Sequence, residues 1–280
     1  MLSVTDFLTQ KWDYAPEVCL AAFALFHAAR VRKIEKDSGN QLFWAESLVM
    51  TYLMAFGGGI IAPFLLGKPP VMFVNDLIVP LVAVCWFVSN RAEGSIFALI
   101  NTPLMKQGIL VLSEIFRANG MCSVVVLSNS ILKAGKHYPI PLWGPILLGT
   151  IAGCGGLFLP LDKGLQARAF FLCRGSMGGL KKGAPWPFQS AFYGSAFFNV
   201  MVYDPNVGPY LRDAANLVLE GEPATQATAI VAGFFCVCAI AQTIMGPAFN
   251  PFTPIHKIAY TVTGVPDSVA VATDAKPKKD

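Results

Sequence analysis

The sequence predicts an all-α integral membrane protein. It would have seven transmembrane helices, with helices 1–3 and 4–6 as an inverted repeat and helix 7 as an addition. Three observations predict this. Hydrophobic residues make up 54% of the 280 positions and charged residues only 14%, whereas soluble domains carry about 25% charge. Apolar stretches recur along the whole chain, and its mean hydropathy is +0.54. Two of those stretches carry the same interruption, Gly58-Gly59-Ile60-Ile61-Ala62-Pro63 and Gly155-Gly156-Leu157-Phe158-Leu159-Pro160, 97 positions apart.

About 20 mainly apolar residues cross the hydrocarbon core of a bilayer. On that measure spans fall near 14–31, 42–66, 74–90, 102–128, 140–161, 188–204 and 225–247. Residues 1–13 contain Asp6, Lys11 and Asp13 and lack a long apolar run, so the first span is expected to be retained. The third and sixth spans are short, and the fourth is the least apolar because it carries Lys106, Glu114 and Arg117. The expected organisation is one transmembrane domain over 1–250, with repeat one at about 14–90, repeat two at about 102–204 and helix seven at about 225–247. A C-terminal tail follows over 251–280.

Orientation follows from the bias of Lys and Arg between alternate loops. One side receives Arg30, Arg32, Lys33, Lys36, Arg91, Lys163, Arg168, Arg174, Lys181, Lys182, Lys257, Lys276, Lys278 and Lys279. The other receives only Lys11, Lys68, Lys133, Lys136 and Arg212, outnumbered there by Asp and Glu. The basic side is expected in the cytosol, which puts the N-terminus outside or in a lumen and the C-terminus in the cytosol. A negative vestibule concentrates cations, and a positive face attracts anionic lipid headgroups.

The cysteines at 19, 85, 122, 154, 173, 236 and 238 lie mostly in apolar stretches and read as small buried hydrophobes. Histidines 27, 137 and 256 have no ligand spacing, so no metal and no cofactor is expected. No Ser/His/Asp arrangement, His-rich cluster or phosphate-binding loop points to an enzyme.

The paired interruptions hold the functional signal. Gly57, Gly58 and Gly59 precede Pro63, and Gly153, Gly155 and Gly156 precede Pro160. In a helix interior glycine costs about 1 kcal/mol and proline about 3 relative to alanine. Both motifs are therefore expected to break their helices. The 97-residue offset maps span 2 onto span 5, and an odd number of helices per repeat inverts the second unit. Matched broken helices in inverted repeats mark transport sites. Backbone carbonyls released by such breaks must face protein or a wet cavity, where they can ligate cations. The competing reading is close helix packing through small residues, as in Gly149-xxx-Gly153.

Within span 4, Glu114 and Arg117 share one helical face and can pair. Ionisable groups at this depth are candidates for function. A structural or lipid-facing pair is the alternative for Arg117, snorkelling to the interface is the alternative for Lys106, and Glu46 reads equally as a helix-end residue.

These segments resemble the trimeric intracellular cation channels of endoplasmic and sarcoplasmic reticulum. The carrying residues are Phe56-Gly57-Gly58-Gly59-Ile60, Leu65-Leu66-Gly67-Lys68-Pro69-Pro70-Val71-Met72-Phe73, the Gly-rich run from Gly149 to Gly156, and Ser113 to Arg117, where the family has Lys-Glu-x-x-Arg. The likeness covers roughly residues 14–250 and marks a distant member. It implies a homotrimer with one pore per protomer around the kinked second and fifth helices. It also implies passive potassium conduction as a counter-current to calcium release and uptake, and a phosphoinositide near the cytosolic part of the pore. Glu114 and Arg117 take the family's acidic and arginine positions. Ser113 replaces the family's lysine, so any lipid or voltage role of that lysine passes to Lys106 or Lys163 or is absent.

The terminal Lys276-Pro277-Lys278-Lys279-Asp280 resembles a dilysine retrieval signal of the endoplasmic reticulum, which acts from the cytosol. The alternative function is a secondary transporter of a small solute with the same inverted repeat, for which Glu46 and Glu114 are the only embedded acids.

Overall fold

A computed structural model describes residues 3–38, 42–91, 100, 102–158, 186–246 and 249–264, and every regular element among them is helical. In chain order these are α1 (Val4–Leu8), α2 (Ala15–Ser38), α3 (Trp44–Leu65), α4 (Val71–Val74), α5 (Ile78–Arg91), α6 (Pro103–Ile131), α7 (Trp143–Cys154), α8 (Trp186–Tyr203), α9 (Gly208–Asn216), α10 (Pro223–Met245) and α11 (Thr253–Thr263). A 3-10 turn, Gly155–Phe158, continues from α7.

A helix stands within a few residues of each apolar stretch marked in the sequence. α3, α6 and α10, with 22, 29 and 23 residues, are long and apolar enough to cross a bilayer. At 1.5 Å rise per residue each exceeds the roughly 30 Å hydrocarbon core. The chain is therefore a multi-pass membrane protein. α5 and α7 are apolar but shorter.

Local chemistry sets the ends. α6 and α10 start with Pro103 and Pro223 in the first turn, where the missing amide costs nothing. α3 stops at Gly67, whose φ of +67° admits glycine most readily. The Gly67 amide donates to the Phe64 carbonyl at 3.0 Å and the Lys68 amide to the Pro63 carbonyl at 2.9 Å. Those two bonds close the helix in a Schellman arrangement. α2 runs on past 31 to Ser38 because Arg30–Asp37 holds no helix breaker. α1, α4, α9 and α11 were not expected, and α11 occupies the start of the segment read from sequence as a plain tail.

Two apolar clusters form the larger part of the core. One joins α2, α3 and α5 through Leu20, Phe23, Phe56, Ile78 and Val82. The other joins α6, α8 and α10 through Met121, Val125, Phe198, Met201, Val231 and Phe235. Some polar side chains inside the bundle pair across helices: Trp86 Nε1 donates to Ser47 Oγ at 3.0 Å, and Asn129 Nδ2 to Asn199 Oδ1 at 2.7 Å. In lipid such bonds hold helices together, each contributing about 0.6–2 kcal/mol. Cys19, Cys85, Cys122, Cys154, Cys236 and Cys238 are buried and unbridged.

Candidate functional site

The two glycine motifs meet. A Cβ on Gly155 would fall 2.1 Å from both Cα and N of Gly58, and one on Gly58 would fall 2.3 Å from the Ile151 oxygen and 2.4 Å from the Ala152 oxygen. On Gly156 it would lie 2.5 Å from the Met54 oxygen. α3 and the end of α7 therefore touch backbone to backbone, an approach open only to residues without a Cβ.

The expected break in α3 is absent. The helix continues through Gly57, Gly58 and Gly59, and Pro63 sits inside its last turn. Glycine weakens a helix without forbidding it, and packing against α7 holds the segment helical. At the second motif the backbone does change, from α-helix to 3-10 turn at Gly155. Pro160 and Lys163 lie outside the described residues.

Helix ends leave carbonyls without intrahelical partners. At the end of α7 protein groups cover them. Ile151 and Ala152 face Gly58, and the Gly153 carbonyl accepts from Arg117 Nη1 at 3.3 Å. Arg117 reaches this point from α6. Its Nε and Nη2 donate to Glu114 Oε2 at 2.8 and 2.5 Å, Nη1 donates to the Pro187 carbonyl at 3.3 Å, and both Nη1 and Nη2 to Ser190 Oγ at 3.1 Å. Its Cζ lies 4.3 Å from the centroid of the Phe235 ring. Arg117 and Glu114 side chains are only 10% and 12% exposed. One guanidinium thus joins α6, α7, α8 and α10, with its charge at the negative end of the α7 dipole.

Beside this joint lies a cavity of about 1020 Å³. Its walls include Phe23, Phe26, His27 and Arg30 of α2, Gly59 and Pro63 of α3, Lys68, Ser113, Glu114, Phe116 and Arg117 of α6, and Gly153, Gly155 and Gly156. Lys68 comes from the turn after α3. Gly57 and Gly58 are buried behind the wall. Ser113 is 2% exposed and lines the cavity with a small side chain where the resemblance has a lysine. Lys106 stands apart, exposed in the first turn of α6.

The cavity also gathers residues that sequence reading did not single out. His27 Nδ1 bonds the Phe23 carbonyl at 2.9 Å, and its ring lies 4.3 Å from that of Phe23. His27 and Arg30 are three apart on α2, hence on one helical face. That polar pair near the end of an otherwise apolar span was the available signal. Lys68 carried none beyond its place after Gly67.

No family-wide sequence pattern matches the chain, and no curated protein does. Solved structures do share its fold. A trimeric intracellular cation channel from C. elegans, in the absence of Ca2+, aligns with TM-score 0.57 at 18% identity, over 88% of this chain and 98% of that one. The C. elegans channel with bound Ca2+ aligns with TM-score 0.55 at 16% identity, over 85% and 94%. A structure described for the activity of TRIC counter-ion channels in calcium release aligns with TM-score 0.54 at 16% identity, over 83% and 96%. The fold is thus that of the trimeric intracellular cation channels, at low sequence identity.

Proposed function

We propose that the chain is a monovalent cation channel that conducts potassium in the endoplasmic or sarcoplasmic reticulum membrane and balances charge during calcium release and uptake. Seven helices, α2, α3, α5, α6, α7 with its 3-10 turn, α8 and α10, are the proposed spans. The first three and the next three form the inverted repeat. In its favour, α3 packs on α7 and α2 on α6, the pairs that a two-fold axis between repeats would bring together.

The observation that carries the reading is the Gly58–Gly155 joint beside the 1020 Å³ cavity. Each protomer of a homotrimer would hold its own path along α3 and α7. With the Ile151, Ala152 and Gly153 carbonyls covered, the reading rests on the side chains of the cavity wall. Arg30 and Lys68 add positive charge to that wall, and Arg30, on the cytosolic side by the charge bias, suits an anionic phosphoinositide headgroup. The charge bias supports a lumenal N-terminus and a cytosolic C-terminus.

Purified protein in a planar bilayer with potassium on both sides should give discrete unitary currents, modulated by added phosphoinositide. Smooth, saturable or gradient-coupled uptake without unitary steps would refute the channel and favour the transporter.

A further inference from the structure

α10 ends at Met245, and Gly246, with φ of +95°, turns the chain back on itself. The return is fastened. Gln242 Nε2 donates to the Phe249 carbonyl at 3.1 Å, and Asn250 Nδ2 to Gln189 Oε1 at 2.7 Å. Phe252 is 9% exposed, its ring 4.3 Å from that of Tyr193 and 5.8 Å from those of Trp186 and Phe234. Phe234 lies eleven residues before the end of α10, and Trp186 and Tyr193 belong to the first turns of α8. α11 therefore starts beside the end of the bundle where α8 begins and not in the solution beyond it.

From that anchor α11 runs for 11 residues. Ile255, Ile258 and Val262 recur at i, i+3 and i+7, which is one helical face. They are 47%, 64% and 78% exposed. Thr253 and Lys257 occupy the opposite register. We infer that α11 is a membrane-surface helix whose Ile255–Ile258–Val262 stripe is immersed in the lipid of the same bilayer that α10 crosses. Such helices lie in the interface plane with the apolar face about 5–10 Å into the headgroup boundary. Three side chains are a small patch for a protein partner, since stable interfaces bury about 800 Å² on each side. Trp186 and Tyr193 at the anchor are the residue types that gather at membrane interfaces. The inference rests on α10 crossing the membrane and not on ion conduction.

Nitroxide labels on I258C, V262C and K257C of the full chain in phosphatidylcholine nanodiscs test this, with protein lacking the introduced cysteine as blank. Labels at 258 and 262 should relax more with lipid-soluble oxygen than with aqueous nickel chelate, and the label at 257 should do the reverse. V262D should lower the oxygen accessibility of the label at 258. Equal nickel accessibility at all three sites would overturn the inference. So would labels at 258 and 262 shielded from both reagents with spin–spin broadening that disappears on dilution with unlabelled chain, because the stripe would then face a second copy. Neither outcome bears on whether the protein conducts.

Discussion

Gly155 lies against Gly58 so closely that a methyl group on it would overlap both Cα and N of Gly58, at 2.1 Å. Each residue comes from one of the two matched motifs, so the motifs build a single contact. Gly155→Ala must push α3 and α7 apart. Overpacking costs about 1–3 kcal/mol where a core can shift, and two backbones have less room to give than a side chain. Gly155→Ala should lower the thermal midpoint in detergent by several degrees, and Gly58→Leu should lower it further or prevent assembly. Gly108→Ala is the control: it sits in α6 with nothing within 4 Å and should be neutral or stabilising, by up to about 1 kcal/mol. Equal stability of Gly155→Ala and Gly108→Ala would refute the contact.

Arg117 predicts an uneven mutation series. Arg117→Gln leaves Glu114 without its cation in a poorly hydrated place, and breaking such a pair costs about 3–5 kcal/mol. Arg117→Lys keeps the charge but cannot reach Glu114, Gly153, Pro187 and Ser190 together, because an ammonium lacks the planar fork. It should recover only part of the loss. Ser190→Ala removes one hydrogen-bond acceptor and should cost about 1 kcal/mol. Thermal midpoints of the three variants check this order. If Arg117→Lys matches the unmodified protein, charge alone suffices and the bonds to the α7 and α8 carbonyls are incidental.

At the end of the bundle opposite α11, the Tyr138 hydroxyl donates to Asp204 Oδ2. Asp204 Oδ1 accepts from the amides of Asn206 at 2.8 Å and Val207 at 2.7 Å. The Tyr138 bond first, then these amides, hold the Asp204 carboxyl below the ordinary carboxylate range, and the same bond raises the Tyr138 phenol. The signs follow. A carboxyl that is more acidic when folded stabilises above its unfolded value of about 3.9 and loses that contribution as pH falls through the folded value. The raised phenol stabilises fully below about 10 and loses its contribution as pH rises through its folded value. Stability of this corner should be flat between those limits. Tyr138→Phe should flatten the acid limb of the thermal midpoint against pH, and an unchanged acid limb would refute the linkage.

Composition and hydrophobic runs were enough to place the helices, because lipid admits few alternatives to a helix. α1, α4, α9 and α11 escaped because short helices leave no run of membrane-crossing length. The glycine motifs were visible, but their effect on α3 was misread: propensity prices a residue in isolation, and Gly58 is held helical by α7. The i, i+3 spacing exposed the Glu114–Arg117 pair. It could not show that Arg117 also binds the Gly153 and Pro187 carbonyls, 36 and 70 residues further on, since backbone acceptors carry no residue signature.

Arg30 and Lys68 both line the cavity, yet the proposed permeant ion is a cation. Arg117 is matched there by Glu114, so Arg30 and Lys68 weight the wall towards positive. At about 8 Å in water of low ionic strength, two unit charges interact by roughly 0.5 kcal/mol, and physiological salt, with a Debye length of about 8 Å, cuts this about threefold. The low-salt figure changes the local potassium concentration about twofold. Lys68→Gln should therefore raise the unitary potassium current about twofold at low voltage and low salt, and Lys68→Glu by more, with both gains shrinking as salt is raised. A purely structural lysine would change stability or open time and leave the unitary current alone. Conductance of Lys68→Gln and Lys68→Glu equal to that of the unmodified protein would place the ion path elsewhere than along the wall that joins Lys68, Gly59 and Gly155.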